Sequence, residues 1–304
     1  MIRPVNFRMN EQTAVNNFYQ RELKNVLPSA IQKKAQDEFD EFVNKLSSNG
    51  VDVIVVNDTQ NTNTPSSVFP NNWITFHENG DVGLYPMFAE NRRLERREDI
   101  LDVIEAQGYT IENIVDYSEA EEEAIFLEGT GSMVLDRQHR KAYCALSQRA
   151  DEELFIEFCE DFEFTPVIFA ANQTVNNQRK AIYHTNVMMC IAEQFAIVCL
   201  SSIDDKKERK NVLKHLRDTG KDVIDITEEQ VNAFAGNMLQ VIGRENQRFL
   251  SMSTSAYQSL RKDQLRKIKK YNSIIHSPIP TIEYCGGGSV RCMMAEVFLP
   301  KNEL

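Results

Sequence analysis

The strongest constraint on the fold is a recurrence. Five times along the chain a helical pattern hands over to a short strand, at intervals of roughly 50–60 residues. The first helix is expected over 29–49, where Ile31, Ala35, Phe39, Phe42, Val43 and Leu46 recur at three- and four-residue steps. Asn49-Gly50 ends it, and 51–56 follows as an apolar strand. Helices over 97–107, 151–162, 204–219 and 256–272 lead in the same way to strands at 113–117, 166–171, 222–226 and 281–284. Between these units, 124–134 with 141–146, and then 188–200, read as further strands. Strands that pair as hairpins argue against a purely parallel, doubly wound sheet. Each unit is then about three strands and a helix. No Pro/Gly/Ser-rich linker divides the chain, so one α/β domain over 1–304 is expected. The polar, turn-rich stretch 57–72 reads as a long loop, a common place for function.

Composition narrows the partners. The chain has 304 residues and a net charge of -11. A field of that sign repels a phosphate backbone, which excludes nucleic acid as an expected partner. No apolar run reaches the roughly 20 residues of a membrane span, and Met1–Phe7 has no charged-then-apolar signal pattern. A cytoplasmic protein is expected. The six cysteines include no C-x-x-C pair and read as reduced thiols, with no metal site and no cofactor. P-loop, dinucleotide-binding and H-E-x-x-H patterns are absent from the sequence.

Several side chains stand out for chemistry. Cys292 follows Cys285-Gly-Gly-Gly-Ser-Val-Arg291, and glycines let a backbone approach a ligand closely. A buried structural cysteine behind a flexible turn is the other reading. His184 stands in His-Thr-Asn, a polar triplet inside an apolar strand pattern, where an imidazole suits acid–base work or is simply a satisfied core group. Glu128 ends an apolar run and is opened by Gly129 and Gly131, as a site residue or as the start of a turn. Pro70-Asn-Asn-Trp-Ile-Thr-Phe-His77 carries the only tryptophan beside two amides, which suggests a ligand wall. The basic cluster Asn91–Asp99 reads as a solvated face, or as the source of a carboxylate-binding arginine. His139, His215 and His276 read as turn, helix-face and loop residues.

Glu128 in L-E-G-T-G, His184 in H-T-N and Cys292 after G-G-G, in that order, resemble the guanidine-modifying, or pentein, superfamily. Arginine deiminase, dimethylarginine dimethylaminohydrolase, succinylarginine dihydrolase and the amidinotransferases are members. The P-N-N-W segment and the G-G-G-S-V-R-C-M tail look most like arginine deiminase-related bacterial proteins, including citrulline-utilisation hydrolases. The resemblance spans nearly the whole chain and implies a five-bladed α/β propeller of ββαβ-type modules. It implies Cys292 as nucleophile, His184 as acid and base, and Glu128 as the group that hydrogen-bonds substrate nitrogens and orients His184. Where arginine deiminases carry aspartates, this chain carries Asn186 and, by approximate alignment, His77. A buried guanidinium needs counter-charge, whereas a neutral ureido group can be met by Asn71, Asn72 and Asn186 beside Trp73. The resemblance therefore implies a C–N hydrolase of a guanidino or ureido amino acid, with citrulline favoured and ornithine and ammonia as products. Arg93 or Arg96 would hold the α-carboxylate. An amidinotransferase, an arginine or dimethylarginine hydrolase, and a non-catalytic binding module are the alternatives. A monomer or homodimer is expected.

Overall fold

A computed structural model describes residues 1–302. The strands, in chain order, are β1 (Ile2–Arg3), β2 (Val56–Asn57), β3 (Ile74–Phe76), β4 (Asp81–Leu84), β5 (Asn113–Asp116), β6 (Met133–Asp136), β7 (Lys141–Ala145) and β8 (Thr165–Phe169). They continue as β9 (Asn172–Val175), β10 (Gln178–Ala181), β11 (Met189–Ile191), β12 (Phe195–Val198), β13 (Asp222–Asp225), β14 (Leu239–Ile242), β15 (Arg248–Ser253) and β16 (Ser273–Ser277).

One module recurs. β3-β4-β5, β6-β7-β8, β11-β12-β13 and β14-β15-β16 each form a separate three-stranded sheet. In each, the first two strands pair antiparallel and the third joins the second in parallel. A parallel neighbour needs a crossover. The helices Asp99–Ala106, Glu152–Asp161, Lys206–Asp218 and Lys262–Tyr271 supply it. The fifth helix, Pro28–Ser48, connects β1 to its parallel partner β2. Five helix–strand units are present, three of them with helix and strand where the periodicity expects them.

The helices form where pattern and caps agree. Ile31, Ala35, Phe39, Phe42 and Leu46 make the buried stripe of the first helix. They pack with Ile275, Ile282 and Cys285 in one apolar cluster. Asp151 and Asp205 cap later helices by accepting amide hydrogens of the first turn, each cap contributing about 1 kcal/mol.

Several expectations need correction. In 51–56 only Val56 enters a strand, and it pairs with Ile2. Within 124–134, strand begins only at Met133, because Gly129 turns left-handed at φ 43° and opens a helical turn. The 188–200 stretch is a hairpin of β11 and β12. The helix expected over 256–272 breaks at Leu260, whose ψ of 135° is extended. The strand that follows is β16, not 281–284, where Ile282–Gly286 is helical. Pro278 and Pro280 lack N–H groups and end the ladder before that point. His276 accordingly lies in β16 rather than in a loop.

The first strand of each three-stranded module is preceded by a tight turn, and these turns are stitched together. They are Pro70–Asn72, Gly129–Ser132, Thr185–Met188 and the bend 233–238, joined by Val290–Met293 near the C-terminus. Asn71 Nδ2 donates to Thr130 Oγ1 at 3.3 Å, and Asn186 Nδ2 donates to the Thr130 carbonyl at 2.9 Å. Asn237 Nδ2 donates to the Asn186 carbonyl at 3.0 Å, and the Arg291 amide donates to Asn237 Oδ1 at 3.1 Å. Fully buried amide bonds of this kind are expensive to leave unmade, at about 1–3 kcal/mol each, so the turns are held in register. Among the described residues no helix is long and apolar enough to cross a membrane.

Candidate active site

The stitched turns bring Glu128, His184 and Cys292 together. Glu128 immediately precedes one turn and His184 another, while Cys292 lies within the last. All three are buried. The Glu128 carboxylate accepts from His184 Nε2 at 2.7 Å, from the Phe88 amide at 3.0 Å and from Arg149 Nη1 at 3.4 Å. Burial alone would raise the Glu128 pKa. The Arg149 charge, the His184 hydrogen bond and the Arg92 charge outweigh burial and hold it well below the usual range. An ionised carboxylate only accepts, so His184 carries its proton on Nε2, and Nδ1 keeps a free lone pair. Burial pushes the His184 pKa down to about 4 against the pull of Glu128, so the imidazole is neutral at physiological pH.

Cys292 and His184 line a cavity of about 20 Å³, also bordered by Asn72, Arg92, Arg149 and Gly287. Its wall needs the tail glycines. Gly287 is left-handed at φ 63°, and a Cβ there would come within 2.4 Å of Gln20 and 2.6 Å of Asn17. The Gly287 carbonyl accepts from Tyr183 Oη at 2.6 Å and from Asn17 Nδ2 at 3.2 Å. Close approach to the 10–20 segment is thus the glycine's role, together with lining the cavity. Arg149 ties down the same segment, donating to the Thr13 carbonyl at 2.9 Å and to Asn16 Oδ1 at 3.0 Å.

The amides divide. Asn186 stands by the nucleophile, with Nδ2 3.6 Å from Cys292 Sγ. Asn72 Oδ1 accepts from Arg92 Nη1 at 2.8 Å, and its Nδ2 is buried without a partner. That nitrogen borders the His184 ring: a Cβ on Gly131 would sit 2.2 Å from Asn72 Nδ2 and 2.7 Å from His184 Nδ1. Asn71 serves the turn through Thr130 instead and does not line the cavity.

Three expectations about binding groups fail. Trp73 lines a separate apolar cavity of about 320 Å³ with Ile2, Ile100 and Val297. His77 bonds to Thr75 Oγ1 at 2.8 Å and stacks on Phe162 at 4.0 Å, as a core residue. Arg93 and Arg96 both pair with Glu121, at 3.3 Å and, through Arg96 Nη2, at 2.9 Å. The arginine of that cluster that reaches the cavity is Arg92. It pairs at 2.8 Å with the buried Glu95 and donates to the Phe69 carbonyl at 3.0 Å. Arg92 lies in the helical turn Glu90–Arg93 and Glu95 in the turn that follows, and both are buried. Arg149 and Asn237 also stand at the site, and the pattern did not expose them. The available signal for Asn237 was an amide inside the apolar stretch 234–242.

His77 makes its own prediction. Burial pushes its pKa down to about 2, while an unfolded histidine titrates near 6.5. Below pH 6.5 the unfolded chain therefore binds a proton that the native chain does not. The His77 contribution is full above that pH and falls by about 1.4 kcal/mol per pH unit as pH drops. The destabilisation caused by His77→Gln, read from urea midpoints, should shrink between pH 7 and pH 5. An undiminished difference would contradict the buried neutral state.

The sequence pattern of the family described as N,N dimethylarginine dimethylhydrolase, eukaryotic, matches residues 3–299. The chain belongs to that family. No curated protein matches the chain significantly. Solved structures share the fold at low identity. An arginine dihydrolase of the ornithine-ammonia cycle in cyanobacteria superposes with a TM-score of 0.74 at 14% identity, over 99% of this chain and 40% of that one. The chain thus spans less than half of that protein. The N-terminal domain of the same enzyme, bound to substrate, matches with a TM-score of 0.70 at 14% identity over 98% of both chains. A dimethylarginine dimethylaminohydrolase adduct with S-methyl-L-thiocitrulline gives a TM-score of 0.60 at 15% identity, over 86% of this chain and 88% of that one.

Proposed function

We propose that this protein hydrolyses a C–N bond of a neutral ureido amino acid, with citrulline as substrate and ornithine, ammonia and carbon dioxide as products. The observation that carries the reading is the orientation of Asn72. A guanidinium only donates, so Arg92 fixes the Asn72 carbonyl oxygen toward itself and leaves the NH₂ group unpartnered beside His184. An unpartnered donor calls for an acceptor. A ureido oxygen is one, whereas a substrate guanidinium offers only donors. The cavity wall carries two arginines and no carboxylate, because Glu128 stands behind His184 and is neutralised by Arg149. A buried cation there would lack counter-charge.

Cys292 passes its thiol proton to His184 Nδ1 as it attacks the ureido carbon, and His184 hands that proton to the departing amine. Water then attacks the thioester-like adduct, with His184 taking its proton and the sulfur leaving. The carbamate formed breaks down to amine and carbon dioxide. Glu128 holds the imidazole and stabilises its charged form. Arg149 takes the α-carboxylate once the 10–20 segment releases it, since a 20 Å³ cavity holds about one water. The repeated sheets around the stitched turns support reading the chain as one five-bladed propeller domain.

The test is a panel of citrulline, arginine, methylated arginines and succinylarginine, with ammonia and the amino-acid product as readouts. Citrulline should have the highest kcat/KM and yield ornithine. A higher value for arginine or dimethylarginine would overturn the substrate assignment. An amidino group passed to an added amine would identify a transferase.

A further inference from the structure

The bend that carries Asn237 is shaped to reach the catalytic sulfur. Phe234 enters it in the left-handed region at φ 61°. Gly236 lets it lie on the Thr185–Met188 turn, since a Cβ there would come within 2.3 Å of the Val187 carbonyl oxygen. The Asn237 side chain is fully buried. Its Oδ1 accepts the Arg291 amide hydrogen at 3.1 Å. A backbone N–H can only donate, so the amide cannot be turned round, and Nδ2 faces the opposite way. That nitrogen donates to the Asn186 carbonyl at 3.0 Å and also lies 3.2 Å from Cys292 Sγ, closer than the 3.6 Å of Asn186 Nδ2.

We propose that Asn237 is a further catalytic residue, a hydrogen-bond donor to the Cys292 sulfur that serves chiefly the second half of the reaction. The proposal rests on the hydrolytic reading above. In the first half, Sγ gives its proton to His184 Nδ1 and bonds to the substrate carbon, and a C–N bond breaks as the amine takes that proton from His184. That step ends with the sulfur uncharged in a C–S bond, so a hydrogen bond to it has little charge to stabilise there. In the second half, a water oxygen bonds to the same carbon and gives its proton to His184. The C–S bond then breaks, and its electron pair returns to sulfur. A preorganised N–H aimed at that atom stabilises the charge as it forms. Among the described residues, the other side-chain hydrogen bonds of Sγ are both to Asn186 and are longer, at 3.6 and 3.8 Å.

The test compares wild type with Asn237→Asp and Asn237→Ala, using whichever of citrulline and arginine the wild type turns over faster. The aspartate keeps the shape and the acceptor for the Arg291 amide, and the alanine controls for its added charge. Both variants should lower kcat about 100-fold and lower KM with it, because a slow second step lets the adduct accumulate. Intact-protein mass during turnover should show the covalent adduct at Cys292, at a higher fraction than in wild type. A fall in kcat with unchanged or raised KM and no added adduct would overturn the proposal and leave a packing role. Unchanged kcat would overturn it as well. Turnover retained in Cys292→Ala would instead bring down the hydrolytic reading, so the two failures are distinguishable.

Discussion

Cys292→Ala is expected to abolish release of ornithine and ammonia from citrulline, a fall of at least about 10⁴-fold in kcat. The reason is that nothing else can take its place. Burial pushes the thiols of Cys159 and Cys190 up to about 12 and that of Cys144 higher, so they stay protonated at neutral pH. Cys285 is raised by the same cause and lies within the apolar cluster under the first helix. Cys292 alone among the six borders the cavity that holds the His184 ring. The fold should survive the change, because the turns are stitched by Asn71, Asn186, Asn237 and the Arg291 amide, not by the sulfur. An unchanged unfolding midpoint together with lost turnover is the expected pair of results. Iodoacetamide at neutral pH should alkylate Cys292 first in the wild type. Ornithine formed by the alanine variant would sink the covalent mechanism.

Much of this was legible in the chain because it rests on local signals. The first helix announces itself through Ile31, Ala35, Phe39, Phe42 and Leu46, whose spacing is a property of the helix alone. Glu128, His184 and Cys292 stand beside glycines or polar triplets that interrupt apolar runs, since Glu128 and His184 precede tight turns that open into strands and Cys292 lies within the last of the stitched turns. The binding groups were harder to see, because which side chain faces the cavity depends on elements far away in sequence. Arg92, Arg93 and Arg96 look alike in sequence. Glu121, from a different segment, captures two of them, and Glu95 holds the third inward. His77 follows β3, and only the packing of Phe162 shows that its ring is core rather than site. The break at Leu260 and the strand before Pro278 were missed for a related reason: helix periodicity ran on past a single extended residue.

Asn72→Asp should turn the enzyme toward arginine, raising the ratio of kcat/KM for arginine over citrulline by about 100-fold, as one or two charge-assisted hydrogen bonds would. One carboxylate oxygen would keep the Arg92 contact that Oδ1 makes now at 2.8 Å. The other would replace the unpartnered Nδ2 beside His184. A donor aimed at the ureido oxygen thus becomes an acceptor for a guanidinium N–H, and it adds the negative charge that the wall lacks. Citrulline loses twice, since its oxygen meets a carboxylate and its NH₂ group gains only what arginine also has. Asn72→Ala separates the two effects: it should slow citrulline without helping arginine. Both ratios can be measured in one competition assay that counts citrulline consumed against arginine consumed. If the aspartate leaves the ratio where it was, the Arg92-fixed amide does not select the substrate, and the choice between ureido and guanidino groups must be made by the segment that closes over the cavity.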